Sequence, residues 1–454
     1  MKSTKPKALL IYPPVYDFAL YDLFLKPYGL LKIGFWLKKA GYDIHFINGL
    51  SYSDPETERV LGRPRRKRDG TGKFYRQVYP KPPVLEKIRR RFARYGVLPE
   101  VLRHKIAGYK PDIVLVSSGM TYWYSGVKEA VNSVKEYHQS VPIIVGGIYA
   151  SLMPEHCKRV TGADQVISGS VWPGLGRILK NLNLPVPDTR LTEEPLILKD
   201  VWQDAGVIRL NSGCPFRCDY CASNLLDNRF SAGNPETTFN VIKQLYRVGV
   251  RSFAFYDDAL LKAKEKALIP LLLKIIESRI DISIYLPNAV HLNYFDRQTA
   301  LLMKKAGFQE IRIGLESSSE HFHRVHDEKV SVADFPEKLE LLCEAGFPLQ
   351  SIGVYIMAGL PGQRKDEVEA SIRFAARYGV KILISEYSPV PGTGLWEQSL
   401  LLSRFNLQDE PLFHNNSLFP MESDHFSMED LQRLKDLARR LSKEDAECRR
   451  EPAG

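Results

Sequence analysis

The sequence has few cysteines for its length, and half of them lie together. Only six occur in 454 residues, and three of these fall within residues 214–221. A disulfide-stabilised secreted domain is usually a much shorter chain with its cysteines spread throughout. The sequence therefore excludes a disulfide framework. It indicates a metal centre in the short segment, and the other three cysteines are interpreted as ordinary residues.

Long hydrophobic runs are also missing. No apolar stretch reaches the roughly 18–20 residues that cross a bilayer. The N-terminus, MKSTKPKALLIYPP, has a basic start but too short an apolar core for a signal peptide. We therefore predict a cytoplasmic protein without membrane-spanning segments. With 44% hydrophobic and 26% charged residues, the composition also excludes extensive disorder.

Acidic residues are scarce in one segment only. Residues 63–94 contain thirteen Lys or Arg and two acidic residues, a local charge of +11. Because the whole chain carries +10, the remainder carries −1. The basic character belongs to this segment, and three interpretations stay open: a solvated basic face, a binding surface for an anionic substrate, and an RNA-binding surface. No known RNA-binding motif supports the third, so we consider a nucleic-acid partner unlikely.

The first 190 residues alternate strand and helix patterns, which predicts a doubly wound α/β domain with a parallel sheet. The segment at about 51–108, which contains most of the basic residues, interrupts the alternation and is interpreted as an insertion that is partly helical near 84–94. In such sheets ligands bind beyond the carboxyl ends of the strands. Predicted strands lie at residues 8–12, 42–47, 112–117, 142–147 and 164–168.

Strand and helix patterns alternate again from residue 207. Six βα units within about 180 residues predict an open six-stranded (β/α)6 partial TIM barrel over residues 200–400, with the functional groups at the carboxyl ends of its strands. A C-terminal helical extension over 401–454 is predicted to be structural. The predicted strands lie at 207–211, 251–256, 281–286, 310–316, 351–357 and 380–387.

The three clustered cysteines follow the first predicted barrel strand, in NSGCPFRCDYCASN. A structural zinc site is the simpler alternative, but it needs four ligands. No other Cys or His occurs between Cys157 and His291. Iron–sulfur clusters are held by Cys thiolates, usually four, so three would leave one iron open to a ligand.

CxxxCxxC with Tyr220 before the last cysteine resembles the signature of the radical S-adenosylmethionine superfamily. The resemblance covers about residues 205–400. It implies that Cys214, Cys218 and Cys221 hold a 4Fe–4S cluster whose open iron binds S-adenosylmethionine. The resemblance also implies that one electron cleaves this cofactor to methionine and a 5′-deoxyadenosyl radical, and that the cofactors provide the reactive groups.

Four further segments at predicted strand ends resemble the family's cofactor-contacting stretches: FYDDAL, IGLESSS, YIMAGLPGQ and SPVPGTGLW. By analogy a carboxylate in the first segment accepts from the methionine ammonium, and the later segments meet the ribose, carboxylate or adenosine. The resemblance implies contacts from Tyr220, Asp257, Asp258, Gly314, Glu316, Ser317, Gly359 and Gly362. The nearby His321, His323 and His326 are interpreted as solvated surface.

The N-terminal pattern LLIYPP, KPDIVLVSS and PIIVGGIYASLMPEH resembles the cobalamin-binding domain found ahead of many radical S-adenosylmethionine domains. The loop after the first strand lacks the DxHxxG histidine of other cobalamin proteins. A cobalamin bound here would therefore have water, an apolar side chain or nothing on its lower face. A degenerate domain that binds nothing stays possible. The resemblance implies cobalamin contacts at Pro13, Ser117, Ser118, Thr121, Gly146 and Gly147.

Together the two resemblances imply a cobalamin-dependent methyltransferase that acts on an unactivated carbon or phosphorus of a small-molecule or peptide substrate. The alternatives are a cobalamin-independent radical enzyme for ring formation, rearrangement or dehydrogenation, and an RNA-modifying enzyme. An electron donor such as flavodoxin or ferredoxin is implied by the chemistry. The sequence identifies neither the substrate nor the role of the basic insertion.

Overall fold

A computed structural model describes residues 5–188 and 194–448. The chain divides into two compact units. Unit 1 comprises Met1–Ala205 and Gln244–Val250, and unit 2 comprises Gly206–Lys243 and Arg251–Gly454. Within the described residues, no helix is both long and apolar enough to span a membrane.

Unit 1 contains a five-stranded parallel sheet with the order β3-β1-β6-β7-β8. This is the order 2-1-3-4-5 of a doubly wound sheet, in which ligands bind where the order reverses, beyond the ends of β1 and β6. The strands are β1 (Lys7–Tyr12), β2 (Val15–Asp17), β3 (Asp43–Asn48), β4 (Arg76–Val78), β5 (Ala93–Tyr95), β6 (Ile113–Ser118), β7 (Ile143–Gly147) and β8 (Gln165–Val166). The helices are α1 (Tyr28–Lys39), α2 (Pro55–Leu61), α3 (Pro99–Ala107), α4 (Tyr124–Tyr137), α5 (Ile148–Leu152), α6 (Pro154–Thr161) and α7 (Val171–Asn181).

The basic insertion is mostly not helical. Its expected helix near 84–94 is wrong: the structure has a short 3-10 turn at Pro83–Leu85 and then β5. β5 pairs with β2 and β4 in a small antiparallel sheet. The side chain of Arg94 is buried and lies 2.7 Å from the carboxylate of Glu129. This buried ion pair places Arg94 on a strand, where the local sequence pattern predicted a helix.

A second arginine of the insertion is also structural. Arg66 lies 2.8 Å from Asp22 and 3.1 Å from Asp204, and its guanidinium stacks 3.7 Å from the ring centroid of Tyr52. The Arg66 side chain is 12% exposed. A solvated basic face therefore does not describe this residue. The neighbouring Arg65 and Arg68 are exposed, as that interpretation expects.

Unit 2 contains six parallel strands in two three-stranded sheets, β11-β10-β9 and β12-β13-β14. An isolated bridge joins Val290, which follows β11, to Ile313 of β12. β11 is three residues long and is soon followed by Pro287, which has no N–H for a ladder. The six βα units are therefore present, while one continuous partial barrel stays a prediction. The strands are β9 (Gly206–Ile208), β10 (Ser252–Phe255), β11 (Ser283–Tyr285), β12 (Ile311–Glu316), β13 (Ile352–Ala358) and β14 (Lys381–Glu386).

Helices alternate with these strands and continue beyond them. The predicted capping pair of the last helix is present: the Ser427 hydroxyl accepts from the Asp430 N–H, and the Asp430 carboxylate accepts from the Ser427 N–H. The Lys435 side chain of this helix also forms an ion pair with Glu386 of β14. The helices are α8 (Ser223–Leu226), α9 (Pro235–Arg247), α10 (Ile269–Glu277), α11 (Arg297–Lys305), α12 (Glu320–His326), α13 (Phe335–Glu344), α14 (Lys365–Ala376), α15 (Trp396–Leu402) and α16 (Met428–Cys448).

Candidate functional site

The three clustered cysteines lie on the loop between β9 and α8, and all three line one cavity of about 510 Å³. The strand β9 is buried, so the loop begins from a fixed point at the carboxyl end of the sheet. The cavity is also bordered by residues that follow β10 and β11 and by residues of β12, β13 and β14. Its other lining residues are Tyr220, Ala222, Ser223, Asp258, Pro287, Asn288, Ala289, Val290, His291, Gly314, Glu316, Lys329, Tyr355, Met357 and Ser385.

The donor set fits an iron–sulfur cluster. Within the part of the chain that the structure describes, no three His, Cys, Asp or Glu side chains are placed to hold a single metal ion. In a 4Fe–4S cluster each thiolate binds a different iron, so three separate thiols around one cavity suit this group. Burial raises the pKa of Cys218 to about 12, against the positive charge of Lys329, which lowers it. The iron ions of a cluster would favour the thiolate forms.

Hydrogen bonds join the cysteine loop to the residues at the end of α12. The Tyr220 hydroxyl donates to Asp327 Oδ2 at 2.8 Å, and His323 Nδ1 lies 2.8 Å from Asp327 Oδ1. Asp219 donates its N–H to the His326 carbonyl at 3.0 Å, and its carboxylate lies 3.2 Å from His326 Nδ1. These contacts join two consecutive residues of the loop to the end of α12.

The interpretation of the three histidines as solvated surface is wrong for His323 and holds for His321, which is exposed. His323 is 2% exposed, and its second nitrogen lies 2.9 Å from the Ser317 carbonyl. Burial lowers the pKa of His323, but Asp327 raises it by more, so the net shift is upward. The sequence offered one signal: α12 follows a barrel strand directly, so one of its faces is packed inward.

The two adjacent aspartates after β10 have different surroundings. Asp257 is 3% exposed and accepts from the backbone N–H groups of Leu210 and Asn211 at 3.0 and 2.5 Å. Burial raises its pKa to about 7, although these two hydrogen bonds lower it. Asp258 lines the cavity, and burial raises its pKa against the charge of Arg209. Of the pair, Asp258 can therefore meet a ligand, whereas Asp257 fixes the chain that enters the cysteine loop.

A buried ion pair lies in the cavity wall. Lys329 Nζ donates to Glu316 Oε1 at 2.9 Å, and both side chains are 9% exposed. Burial lowers the pKa of Lys329, but Glu316, Cys218 and Asp327 raise it by more. Glu316 has φ +60°, a left-handed conformation that is uncommon for glutamate, beside a register shift in the β12–β13 pairing. The kink at this strand end directs the Glu316 carboxylate towards Lys329.

Three other predicted contact residues do not line the cavity. Ser317 accepts through its hydroxyl from the Ser319 N–H at 3.1 Å. Gly359 has φ +87°, and a Cβ there would lie 2.5 Å from the ring of Phe419. Gly362 also has positive φ, at +75°. These glycines are required by the turn after β13 itself.

Sequence reasoning missed Lys329, Asn288, His291 and Tyr355 as lining residues. Three of them lie after β11 or on β13, and Lys329 follows α12. Asn288 donates to the Tyr256 carbonyl at 3.2 Å, and Tyr355 lies 2.9 Å from Arg312 Nη1. The segment PNAVH follows the third predicted strand, and its position at a strand end was the available signal.

The predicted cobalamin residues of unit 1 lie at the ends of β1, β6 and β7, around the point where the strand order reverses. Ser118 Oγ donates to the Gly146 carbonyl at 2.9 Å and accepts from the Ala150 N–H at 3.1 Å. Gly147 has φ +108°, and a Cβ there would lie 2.3 Å from the Ser118 carbonyl oxygen. Pro13, Ser118 and Thr121 are buried, Ser117 and Gly146 are half-buried, and Gly147 is exposed.

The end of β7 leaves open space that a large planar ligand could occupy. A Cβ built on Gly146 would meet no heavy atom within 4 Å, so the space beside this strand end is open. The predicted contacts are small or neutral residues, which let a ligand approach the backbone. The structure offers no histidine on the loop after β1, as the sequence already indicates.

Each unit contains a segment that matches the sequence model of a known family. Residues 208–375 match the sequence model of the Radical SAM superfamily, and residues 90–171 match that of the B12 binding domain. An uncharacterized methyltransferase from Pyrococcus horikoshii is 25% identical over 369 residues, which cover 72% of this chain and 78% of the relative.

Two solved structures share the fold. The radical S-adenosylmethionine methyltransferase TsrM from Kitasatospora setae, with cobalamin and a 4Fe–4S cluster bound, has a TM-score of 0.65 at 14% identity. This match covers 96% of this chain and 89% of TsrM. The cobalamin-dependent S-adenosylmethionine radical enzyme OxsB, with aqua-cobalamin and S-adenosylmethionine bound, has a TM-score of 0.60 at 13% identity. It covers 97% of this chain and 62% of OxsB.

Proposed function

We propose that the chain is a cobalamin-dependent radical S-adenosylmethionine methyltransferase, because residues 208–375 match the Radical SAM superfamily and residues 90–171, ahead of them, match the B12 binding domain. The single observation that supports this most is the presence of both domains in one chain, in the order found in TsrM. The relative named as a methyltransferase covers most of the chain and supports the same activity.

The three cysteines are proposed to hold the cluster. When bound, the cluster supplies the electron that cleaves S-adenosylmethionine, and the corrin supplies a carrier for its methyl group. Cys214, Cys218 and Cys221 would each ligate one iron through the thiolate. The Tyr220–Asp327 hydrogen bond keeps the loop in place, so the thiolates are positioned before the cluster is inserted.

The carboxylates of the cavity are proposed to bind the amino acid part of S-adenosylmethionine. Asp258 is the better candidate for the ammonium group because its side chain faces the cavity and Asp257 is engaged with the backbone. Glu316 already accepts from Lys329, which leaves its second oxygen for a ligand. Gly314 also lines the cavity and is proposed to let the ligand approach the strand.

The corrin is proposed to bind at the ends of β1, β6 and β7, against Pro13, Ser117, Ser118, Thr121, Gly146 and Gly147. The open space beside Gly146 supports this position. The loop after β1 has no histidine, so shape and backbone contacts from these residues would retain the corrin.

A label-transfer assay tests the function. The reconstituted chain is incubated anaerobically with reductant, methyl-labelled S-adenosylmethionine and fractions of a cell metabolite extract. We expect labelled methyl groups in a product separable from S-adenosylmethionine, and loss of this product when cobalamin is omitted. Cleavage of S-adenosylmethionine without label transfer under any condition would favour the cobalamin-independent radical enzyme. Label recovered in RNA after incubation with total RNA would favour the RNA-modifying alternative.

The electron donor and the cellular location belong to the same proposal. Cleavage requires one electron, which we assign to a small redox protein such as flavodoxin or ferredoxin, and a cytoplasmic location agrees with that supply. A small-molecule or peptide substrate is proposed, since no RNA-binding motif accompanies the basic segment. The domain boundaries at 1–190, 200–400 and 401–454 likewise remain predictions.

A further inference from the structure

His291 borders the cysteine cavity with a ring nitrogen that has no partner. Its Nδ1 atom is buried and makes no hydrogen bond within the described residues. The residue as a whole is 9% exposed and lines the same cavity as the three thiols. A buried polar atom without a hydrogen bond costs roughly 1–3 kcal/mol, so its presence in a native fold needs a reason.

The imidazole packs against aromatic neighbours. The ring centroid of His291 lies 4.5 Å from that of Phe216, which stands between Cys214 and Cys218 on the cysteine loop. The ring centroid of Tyr294 lies 6.3 Å away and packs edge-on. The preceding residue, Val290, donates its N–H to the Arg312 carbonyl at 2.8 Å, which ties this segment to β12. The ring is therefore packed between the cysteine loop and Tyr294.

His291 is uncharged at neutral pH. Burial, together with the positive charges of Lys329 and Lys262, lowers its pKa to about 4, although Asp327 raises it. A neutral imidazole has one nitrogen that donates and one that accepts, so it pairs with a polar group without requiring a charge on the ligand. Asp258 and Glu316 supply the negative charges of the same wall.

We propose that His291 contacts S-adenosylmethionine and that Nδ1 forms a hydrogen bond with a polar atom of this cofactor. We choose S-adenosylmethionine as the ligand because His291 lies against the cysteine loop, and a molecule bound to the open iron must lie beside that loop. The inference rests on the proposed radical S-adenosylmethionine function and adds a binding residue to it. His291 acts by recognition and takes no part in bond cleavage.

Cofactor binding can be measured without turnover. With the cluster oxidised and no reductant present, S-adenosylmethionine binds and is not cleaved, so calorimetry under anaerobic conditions gives its Kd. His291→Phe keeps an aromatic ring against Phe216 and removes the hydrogen bond. We expect its Kd to rise about tenfold, which corresponds to ~1.4 kcal/mol. His291→Asn, which retains a donor and an acceptor, should recover part of the affinity.

The control is His321→Phe, the same substitution at an exposed histidine. It should leave the Kd unchanged. Iron content and the electron paramagnetic resonance spectrum of the reduced cluster, recorded without S-adenosylmethionine, should match the parent in all three variants. A Kd for His291→Phe within twofold of the parent value would overturn the proposal.

A second outcome would also overturn it. If His291→Phe and His291→Asn both lose iron or change the spectrum without S-adenosylmethionine, His291 belongs to the cluster site itself. Methyl transfer is not part of this measurement. A chain that binds S-adenosylmethionine through His291 and transfers no methyl group would uphold the inference and contradict the methyltransferase proposal.

Discussion

The two candidate sites of this chain use different kinds of residue. The cavity of unit 2 is lined by thiols, carboxylates, a lysine and an imidazole, several of which are buried and paired. The predicted contacts at the strand ends of unit 1 are proline, serine, threonine and glycine. Charged groups that must be placed in a buried site need specific partners, whereas a large neutral surface can be held by shape. We therefore expect the removal of one side-chain group to abolish cofactor binding in unit 2. In unit 1, cofactor binding should be lost when a larger side chain fills the binding space.

The largest effect should come from one thiol. Cys218→Ser removes a thiolate ligand, so we expect reconstituted iron to fall to a small fraction of the parent content and all S-adenosylmethionine cleavage to stop. Corrin retention should stay near the parent level, because the substitution lies outside unit 1. Iron analysis and corrin absorbance on the same sample check both statements. Parent-level iron in this variant would exclude Cys218 as a ligand.

The corresponding test in unit 1 fills the proposed corrin site with a larger side chain. Gly146→Leu places a side chain where no heavy atom lies within 4 Å, so the fold should tolerate it. We expect corrin retention to fall at least tenfold with iron content unchanged. Gly29→Leu, at a second glycine with the same open surroundings, is the control and should retain corrin. Normal corrin content in Gly146→Leu would remove the proposed position from consideration.

A buried charge should affect stability more than an exposed one. Lys329→Met leaves the Glu316 carboxylate buried without its partner, and we expect the free energy of unfolding to fall by about 3 kcal/mol. Arg373→Met removes one member of an exposed pair with Glu369 and should cost less than about 0.5 kcal/mol. Denaturant titration of the chain without cofactors measures both. Equal effects would show that the Lys329 pair is accessible to water.

Substitutions of the two adjacent aspartates should have different effects, on cofactor binding for Asp258 and on iron content or stability for Asp257. Asp258→Asn removes a charge that faces the cavity, so we expect S-adenosylmethionine affinity to fall about tenfold with full iron content. Asp257→Asn keeps one acceptor oxygen for two backbone N–H groups and should lower the iron content or the unfolding midpoint. Calorimetry and iron analysis distinguish the two. The reverse pattern would exchange their roles.

The smallest effect is a pH dependence in unit 1. Asp54 accepts from the Thr57 N–H at 2.9 Å and from Lys105 Nζ at 2.6 Å. Burial raises its pKa, but Lys105 and Thr57 lower it by more. A carboxylate with a lowered pKa stabilises the fold above its ordinary pKa and loses this contribution as the pH falls through the lowered value. Asp54→Asn keeps the helix cap, so we expect it to cost about 0.5 kcal/mol at pH 7. The difference from the parent should shrink as the pH falls through the lowered pKa of Asp54, and a difference that stays constant in denaturant titrations through the acid range would contradict this origin.

Sequence patterns predicted the fold well where apolar periodicity was strong. β1, β6 and β12 lie within one residue of the expected positions, and the predicted cap of α16 is present. The helix expected at 84–94 was wrong: Ala93 and Arg94 pair with β2 and β4 instead, since tertiary contacts override local propensity. Periodicity indicates where the backbone is buried, and it does not indicate which charged side chains meet.

The candidate site was predicted in part for the same reason. The cysteine motif is a short contiguous pattern, so its position could be found directly in the sequence. Lys329 comes from a segment thirteen residues beyond its partner Glu316, and nothing in the local sequence links them. Asp257 and Asp258 are equivalent as a pattern, and only the direction of each side chain separates them. His291 is conspicuous because its Nδ1 makes no hydrogen bond to any residue that the structure describes, which no sequence pattern reveals.

The cofactor content of one reconstituted sample tests the proposed function most directly. The full chain is incubated anaerobically with iron, sulfide and hydroxocobalamin, desalted, and analysed for iron, zinc and corrin together with its ultraviolet–visible spectrum. We expect about four irons and one corrin per chain, with a broad iron–sulfur absorption band. Zinc at the cysteine site with no iron–sulfur band would contradict the radical S-adenosylmethionine assignment, and a cluster without corrin would contradict the role given to unit 1.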